Sequence, residues 1–368
     1  MSTTPHSSDP SLAVDAHGRA VIGWTVGVRG GDNEVRVRRL QAGTWTDLPG
    51  LNVPNSQNGQ IAVTIGQNDE PLAAWSVGRV SPDPSAVVPA RARVSAWNGA
   101  RWEELGGADE GIGRSSHFPT VAASKDGRIA VVFYRDAGGE SPVLRVRQWE
   151  NGAWTTLPSP VSGSHVEINL GAPVAAFDTQ GDLVVVWSAE HSGGSSIFAG
   201  RWDGKSWAAY GASVTGRGLS ATTGESTHPS LGIGPTGPLV AWVHREDKRF
   251  VNRSAYVRRW TGVAWEELGG SASGRGVSNA DVTTVSLSTD RNGQPVVARN
   301  EGDENAQDVF VSAWSGTAWV DASGFGGRRI SAPSTFSVQP KIALRAGTTC
   351  IAWALYNGDQ VMARCVQP

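Results

Sequence analysis

A unit of 51 to 58 residues recurs from one end of the chain to the other, and it narrows the fold before any composition is counted. Self-similarity at such a period marks solenoids, propellers and arrays. Each unit reads Pro, a short strand of small residues, a Gly turn and an apolar strand ending in Trp. Two more Trp follow, five positions apart. PSLAVDAHGRAVIGW opens the first unit, from Pro10 to Trp24, and IAVTIGQNDEPLAAW the second, from Ile61 to Trp75. The third runs from Pro119 to Phe133, the fourth from Pro173 to Trp187 and the fifth from Pro229 to Trp242. The sixth is degenerate, from Val285 to Arg299, and the seventh runs from Pro340 to Trp353. Seven units fill residues 1–368 as one domain.

The second half of the unit holds the pairs Trp97/Trp102, Trp149/Trp154, Trp202/Trp207, Trp260/Trp265 and Trp314/Trp319, with Leu40/Trp45 in the first unit. Between partners sits a Gly-bearing tetrad such as NGAR, ENGA or DGKS, a tight hairpin connection. That hairpin sets the two Trp opposite each other, within reach of edge-to-face contact. DAHG, SKDG, DTQG and DRNG read as turns after the first strand. Each unit is therefore four short antiparallel strands, and helical periodicity is absent. The fold class expected is all-β, a seven-bladed β-propeller of four-stranded antiparallel blades. Blades packed face to face explain unbroken apolar runs such as Ile129–Phe133 and Leu183–Trp187. First strands built of LAV, VAA, LGI and IAL suit a crowded axis, and Trp suits the outer strands where blades diverge.

VRRWTGVAWEELGGSASGRGVS and PVAAFDTQGDLVVVW resemble units of bacterial seven-bladed β-propeller repeat proteins, with their P-S-h-A-h-D, V-A-W and V-R-R-W-x-G-x-x-W-E-E-L-G-G pattern. In plan the chain is also loosely similar to seven-bladed bacterial propeller lectins. The resemblance covers nearly the whole chain and implies an architecture; such repeats are scaffolds and carry different functions.

The chain starts on an innermost strand and stops after the third strand of unit seven. The last blade is therefore expected to be incomplete, or patched by a short strand from Ser2 to Ser8. A turn at Asn357-Gly358 places Cys350 and Cys365 directly opposite each other, at a wide, hydrogen-bonded pair by alternation. Two buried free thiols are the expectation, since the chain reads as cytosolic, with a disulfide stapling the last blade as the alternative.

Thirty-two Lys and Arg against 34 Asp and Glu give a net charge of −2, which excludes a broadly basic nucleic-acid binder. No apolar run reaches the roughly 18 residues of a membrane helix. The first residues lack a signal-peptide pattern, so a cytoplasmic protein, or one released without a classical signal, is expected. Third-strand Arg36/Arg38, Arg91/Arg93 and Arg145/Arg147 face acidic fourth strands such as Glu103/Glu104 and Glu266/Glu267, and read as cross-strand ion pairs.

In a propeller, the loops into the first strand and out of the second share one face. Here those loops are long, irregular and Gly/Ser-rich, which is where function is expected. GIGRSS, GRGLS, GRGVS and GRRIS repeat there with Arg114, Arg217, Arg275 and Arg328, which either pair with blade-edge carboxylates or cap strand ends, or form an anion or sugar site repeated around the ring. Five of seven histidines map to this face: His117, His165, His191, His228 and His244. Arg135, Asp136, Glu190, Glu225, Arg245, Glu246 and Asp247 share the sector. No P-loop, G-x-S-x-G or H-E-x-x-H motif is present.

The expected function is that of a non-enzymatic binding propeller for a carbohydrate or other small molecule, with no cofactor and no metal. Its candidate ligand-binding residues are His117, Arg135, Glu190, His191, His228, His244 and Arg245, together with Trp97, Trp149, Trp202, Trp260 and Trp314. The alternative is a lyase- or hydrolase-type enzyme with a single acid–base or metal site on the loop face of blades three to five. There His117, His228 or His244 would be acid or base, and Arg135 would neutralise an anion. A protein-interaction platform is the third reading.

Overall fold

The computed structural model of the chain describes residues 6–27, 32–79, 89–108, 115–136, 142–160, 171–246, 252–278, 280–303, 306–321, 329–332, 336–356 and 360–367. Every regular element among them is a strand. Four sheets are antiparallel meanders of four strands, in chain order. A fifth sheet has eight strands. It consists of two such meanders joined where Gly194–Ser195 pair in parallel with Gly224–Glu225. The last sheet has three strands, Ser337–Arg345, Thr348–Leu355 and Gln360–Val366.

The first strands of the units form a closed ring. His6–Val14 packs on Ser56–Ile65, which packs on Ser116–Ala123, and so on through Val174–Phe177, Gly224–Gly234 and Val282–Thr289 to Ser337–Arg345. That last strand returns to His6–Val14. This radial arrangement is propeller-like. Each sheet presents its first strand's free edge to the axis, where unpaired N–H groups must find acceptors. Serine supplies them across one repeat. Ser11 Oγ accepts the Val63 N–H at 2.9 Å, Ser230 that of Leu287 at 2.8 Å, and Ser286 that of Ile342 at 3.1 Å. In the first and fifth units the Pro-Ser at the strand start thus removes one edge donor and caps another, while Ser286 follows Val285 and caps alone.

Hydrophobic clusters fill the wedges between successive units. One joins Trp187, Val185 and Leu183 to Tyr134, Val132 and Leu144, for example, and the next joins Val184 and Val186 to Trp242 and Tyr256. The tryptophan pairs finish these wedges. Trp97 and Trp102 lie directly opposite, ring centroids 5.4 Å apart and edge to face. The other four pairs repeat this at 5.5 to 5.7 Å. Each second partner then donates its indole N–H to a backbone carbonyl of the preceding unit. The bonds run from Trp102 to Leu48 (3.0 Å), Trp154 to Leu105 (3.1 Å), Trp207 to Pro158 (2.7 Å), Trp265 to Tyr210 (2.9 Å) and Trp319 to Leu268 (2.8 Å). The repeated Trp are clips between neighbours.

The junction of last to first unit is the thinnest cluster, with Val14, Ala20 and Cys350 flanked by Leu12, Leu40, Trp45, Ala343 and Cys365. Here the free-thiol expectation is corrected: Cys350 and Cys365 form a disulfide. The register is the expected one, Cys350 opposite Cys365, but their Cα atoms are only 4.1 Å apart, the narrow spacing of a non-hydrogen-bonded pair. A bridge closing 15 residues stabilises by about 3 kcal/mol, and it does so at the weakest wedge. His6–Ser8 pair with Thr25–Gly27, so this stretch extends the first sheet's inner strand and does not patch the last sheet. Residues 2–5 and the Asn357-Gly358 turn lie outside the described residues.

The cross-strand ion pairs form as Arg38–Asp47 at 2.6 Å, Arg93–Glu104 at 2.8 Å and Arg259–Glu266. The Gly/Arg/Ser loops are caps. Ser220 Oγ accepts the Ile197 N–H and Ser278 Oγ that of Ala255, with Leu219 and Val277 donating to the same residues' carbonyls. Ser331 does the same for Val309. Gly218 and Gly276, at φ of 58°, lie so close to those carbonyls that a β-carbon would stand 2.1 and 2.2 Å from the oxygen. Arg217 and Arg275 are left exposed, and Arg114 and Arg328 lie outside the described residues.

Candidate functional site

The axial edge is broken at one fixed place. Register slips between Ser8 and Ser11, Gly59 and Ala62, Thr227 and Ser230, Val282 and Val285, and Val338 and Lys341. The third unit slips at the same point, opposite Val132/Tyr134. At five of these bulges the extra residue is left-handed without being glycine: Asp9, Gln60, Phe118, His228 and Gln339, with φ of 51° to 53°. Four of the five precede a proline. A bulge turns a side chain out of the sheet's alternation, and proline is tolerated there. The result is a ring of blade-specific side chains around the axis, on the loop face.

Neighbouring bulges touch. Gln339 Oε1 accepts the Asp9 N–H at 2.9 Å and its Nε2 donates to Asp9 Oδ1 at 2.8 Å. Gln60 Oε1 accepts the Phe118 N–H at 2.9 Å. Gly171 of the fourth unit lies against His228, and a β-carbon there would meet the His228 Cα at 2.8 Å. In the sixth unit Asn300 holds the bulge instead, its Oδ1 accepting both the N–H and the hydroxyl of Thr284 at 2.8 Å.

Among the described residues, three cations of this mouth have an acidic partner. Lys341 takes the position of the capping serine. Its side chain is exposed on the axis, and the protein crowded around it holds its ammonium below the usual lysine range, with Asp9 acting in the opposite sense. Arg253 is clamped by Asp281 through Nη2 at 2.5 Å and Nε at 3.1 Å. Arg245 is paired with Glu225, Nε to Oε2 2.7 Å. His228, half-buried and 3.0 Å from the Thr227 hydroxyl, is pushed down to about 4, first by burial and then by the charges of Lys341 and Arg253.

That depression fixes a pH dependence. The unfolded chain protonates this histidine near 6.5, while the folded chain keeps it neutral until about 4. Between those values the unfolded state binds more protons, so stability falls as pH falls through the window, by at most about 3 kcal/mol. His244, also held down by burial, acts in the same direction. Urea midpoints at pH 7 and 4.5 measure the loss, and His228→Asn, which tolerates the left-handed backbone, is expected to reduce it.

The candidate histidines are not one cluster. His244 is a core residue, 3% exposed, stacked on Tyr256 at 4.7 Å and 3.1 Å from the Ser226 hydroxyl. His191 closes its hairpin, its Nε2 2.9 Å from the Ser196 hydroxyl and its Nδ1 accepting the Gly193 N–H. Glu190, next to it, is exposed. His117 sits beside the Phe118 bulge with Nε2 3.3 Å from Asp136 Oδ1, and Arg135 ends the adjacent strand. His165 and Asp247 lie outside the described residues. Among the described residues no group of three or more His, Cys, Asp or Glu could hold a metal ion.

Of the candidate tryptophans, Trp97, Trp202 and Trp314 are buried, at 7 to 8% exposure. Trp149 and Trp260 are half-buried in their pairs. Trp97 borders a groove between the second and third sheets, at the end opposite the loop face, with Gln67, Arg128 and Gly127. Asp9, Gln60, Gln339 and Lys341 belong to no motif; the repeated Pro at the strand start is the available signal of a bulge for Asp9 and Gln339, and Gln60 lacks it.

No protein-family model and no curated protein matches the chain. Solved structures do. An ulvan lyase, described as a polysaccharide lyase of a new family, superposes with a TM-score of 0.62 at 11% identity over 99% of this chain and 94% of its own. A Hadza microbial sialidase, Hz136, gives 0.55 at 10% identity over 98% of this chain. Trypanosoma rangeli sialidase gives 0.54 at 12% identity, also over 98%. This chain spans 66% and 55% of the two sialidases. At such identities the likeness is one of fold, an all-β propeller.

Proposed function

We propose that the chain is a seven-bladed propeller that binds carbohydrate at one site, in the mouth of its axis on the loop face. Seven blades are supported by the closed succession of first strands and by a hydrophobic cluster at each junction, the last unit's with the first included. The binding reading is carried by the ring of bulged residues. Asp9, Gln60, His228 and Gln339, with Lys341, offer carboxylate, amide, imidazole and ammonium groups around one axis. Among the described residues Lys341 is offset by Asp9, Arg253 by Asp281 and Arg245 by Glu225, so these cations do not make a cationic funnel. Mixed donors and acceptors of balanced charge suit sugar hydroxyls better than phosphate chains. The structural neighbours add weight: the ulvan lyase was solved with -[GlcA(1-4)Rha3S]- and the Trypanosoma rangeli sialidase with sialic acid.

A glycan array followed by titration calorimetry tests this. One saturable site per chain is expected, weakened about tenfold or more by Gln60→Ala or Lys341→Ala, since each removes a hydrogen-bonding group worth roughly 1.5 kcal/mol or more. Several equivalent sites, or no glycan bound, would overturn it. The second reading, an enzyme, rests on the His117–Asp136 pair beside Arg135, a carboxylate-oriented imidazole at the same mouth. Sugar released from a polysaccharide by the parent chain and lost in His117→Ala would establish that reading instead.

A further inference from the structure

Several units share a rim position where the start of the first strand faces the end of the second. In the third unit Asp136 N–H bonds to Ser115 there, and in the sixth Gly302 N–H to Asp281. In the fifth the position holds the Glu225–Arg245 pair. In the last unit it holds two aromatic rings. Tyr356 N–H donates to the Phe336 carbonyl at 3.0 Å, and the rings lie 5.0 Å apart at 41°.

The exposure of the tyrosine singles this pair out, and the backbone of the phenylalanine, left-handed like the bulged Phe118, adds to it. Tyr356 is 69% exposed, the one large exposed aromatic among the described residues. Phe336, which backs it, stands at a φ of 48°, a left-handed conformation that a bulky aromatic side chain rarely adopts. Holding such a residue there costs on the order of 1–3 kcal/mol, and strain of this kind gathers at ligand clamps. The fold could bury this tyrosine or replace it with a polar rim pair, as other units do. Instead a strained Phe props it toward solvent.

The platform adjoins the strand that carries Gln339, with Phe336 just before its start and Tyr356 just after the end of its neighbour. Phe336 precedes the bulged Gln339 by three residues, about 10 Å by strand rise. That is farther than one sugar ring reaches. We infer that Phe336 and Tyr356 form an outer subsite, on which the apolar face of a second or third sugar stacks when a first occupies the mouth. The ligand is thus an oligosaccharide rather than a lone monosaccharide. This rests on the carbohydrate reading above.

The experiment compares the parent chain with Tyr356→Ala and Tyr356→Phe on a printed array of plant, animal and bacterial glycans of one to six residues. Titration of the best-bound glycan and its shorter truncations follows. The parent is expected to bind trisaccharides and longer chains more tightly than the monosaccharide. Tyr356→Ala is expected to lose about tenfold on the long ligands, the scale of one aromatic contact, with monosaccharide affinity unchanged within about twofold. Tyr356→Phe, which keeps the ring, retains parent affinity. Equal weakening at every length, or none, overturns the subsite while the mouth stands. Absence of glycan binding by the parent overturns both readings together. At 69% exposure the tyrosine is not part of the core, so a folded variant is expected, and its unfolding midpoint is the control.

Discussion

Trp265→Ala is expected to destabilise the fold by about 3 kcal/mol and to leave the glycan binding proposed for the axial mouth intact. Trp265 is half-buried between Trp260 and Tyr210, at centroid distances of 5.7 and 6.1 Å, and its indole N–H reaches the Tyr210 carbonyl at 2.9 Å. Truncating a buried Trp to Ala costs about 3–5 kcal/mol, and partial exposure puts this one at the lower end. Trp265→Phe separates packing from the clip. It keeps an aromatic ring in the wedge but removes the donor, for a loss of about 1 kcal/mol. Shifts of the denaturant midpoint at constant slope measure both. Were Trp265→Phe to keep full stability and lose sugar binding, the indoles would be ligand platforms and the clip would be incidental.

How far the sequence could be read follows from where its signals repeat. The Trp pairs, the Gly-bearing tetrads and the apolar second strands recur at a fixed period, so strand order, hairpins and the facing of Trp97 with Trp102 were legible. Even the Cys350–Cys365 register follows from one turn, although the oxidation state does not, because a signal-peptide pattern speaks to compartment and not to the bond. The site was far less legible. His117, His191, His228 and His244 share a face, but a loop residue's neighbours depend on the direction of its side chain. His244 turns into the core against Tyr256 while His228 turns to the axis. The residues that do meet at the mouth are displaced by bulges, and a bulge has no side-chain alphabet of its own. Asp9, Gln60, Phe118, His228 and Gln339 share a backbone conformation and no chemistry. Only the following Pro marks four of them.

Arg299 is where the repeat itself departs from its pattern, and it carries the second large effect. Trp24, Trp75, Phe133, Trp187, Trp242 and Trp353 hold this place in the other units, and here a guanidinium is fully buried. Its Nε bonds to Glu301 Oε1 at 2.6 Å and its Nη1 to the Ser312 hydroxyl at 3.1 Å. Glu301, 5% exposed by side chain, stands where the first two units have Val26 and Val77. Glu301→Ala is expected to cost about 3–5 kcal/mol, because it leaves a positive charge in the wedge with its main counter-charge gone. Arg299→Met with Glu301→Val is expected to fall within about 1 kcal/mol of the parent or above it, since replacing a buried ion pair by apolar side chains removes the desolvation penalty of both partners. The double variant, nearer the apolar pattern of its sister units, would then be more stable than the single one. Denaturant unfolding of parent, single and double variants decides it. A double variant as unstable as Glu301→Ala would mean that the pair holds more than its own charges. The nearest dependent is the buried amide of Asn300, between Arg299 and Glu301 in sequence, whose Oδ1 fixes Thr284 at the sixth unit's bulge. In that case glycan binding at the mouth would weaken along with the fold, and the ion pair would be a positioning device for the axial ring.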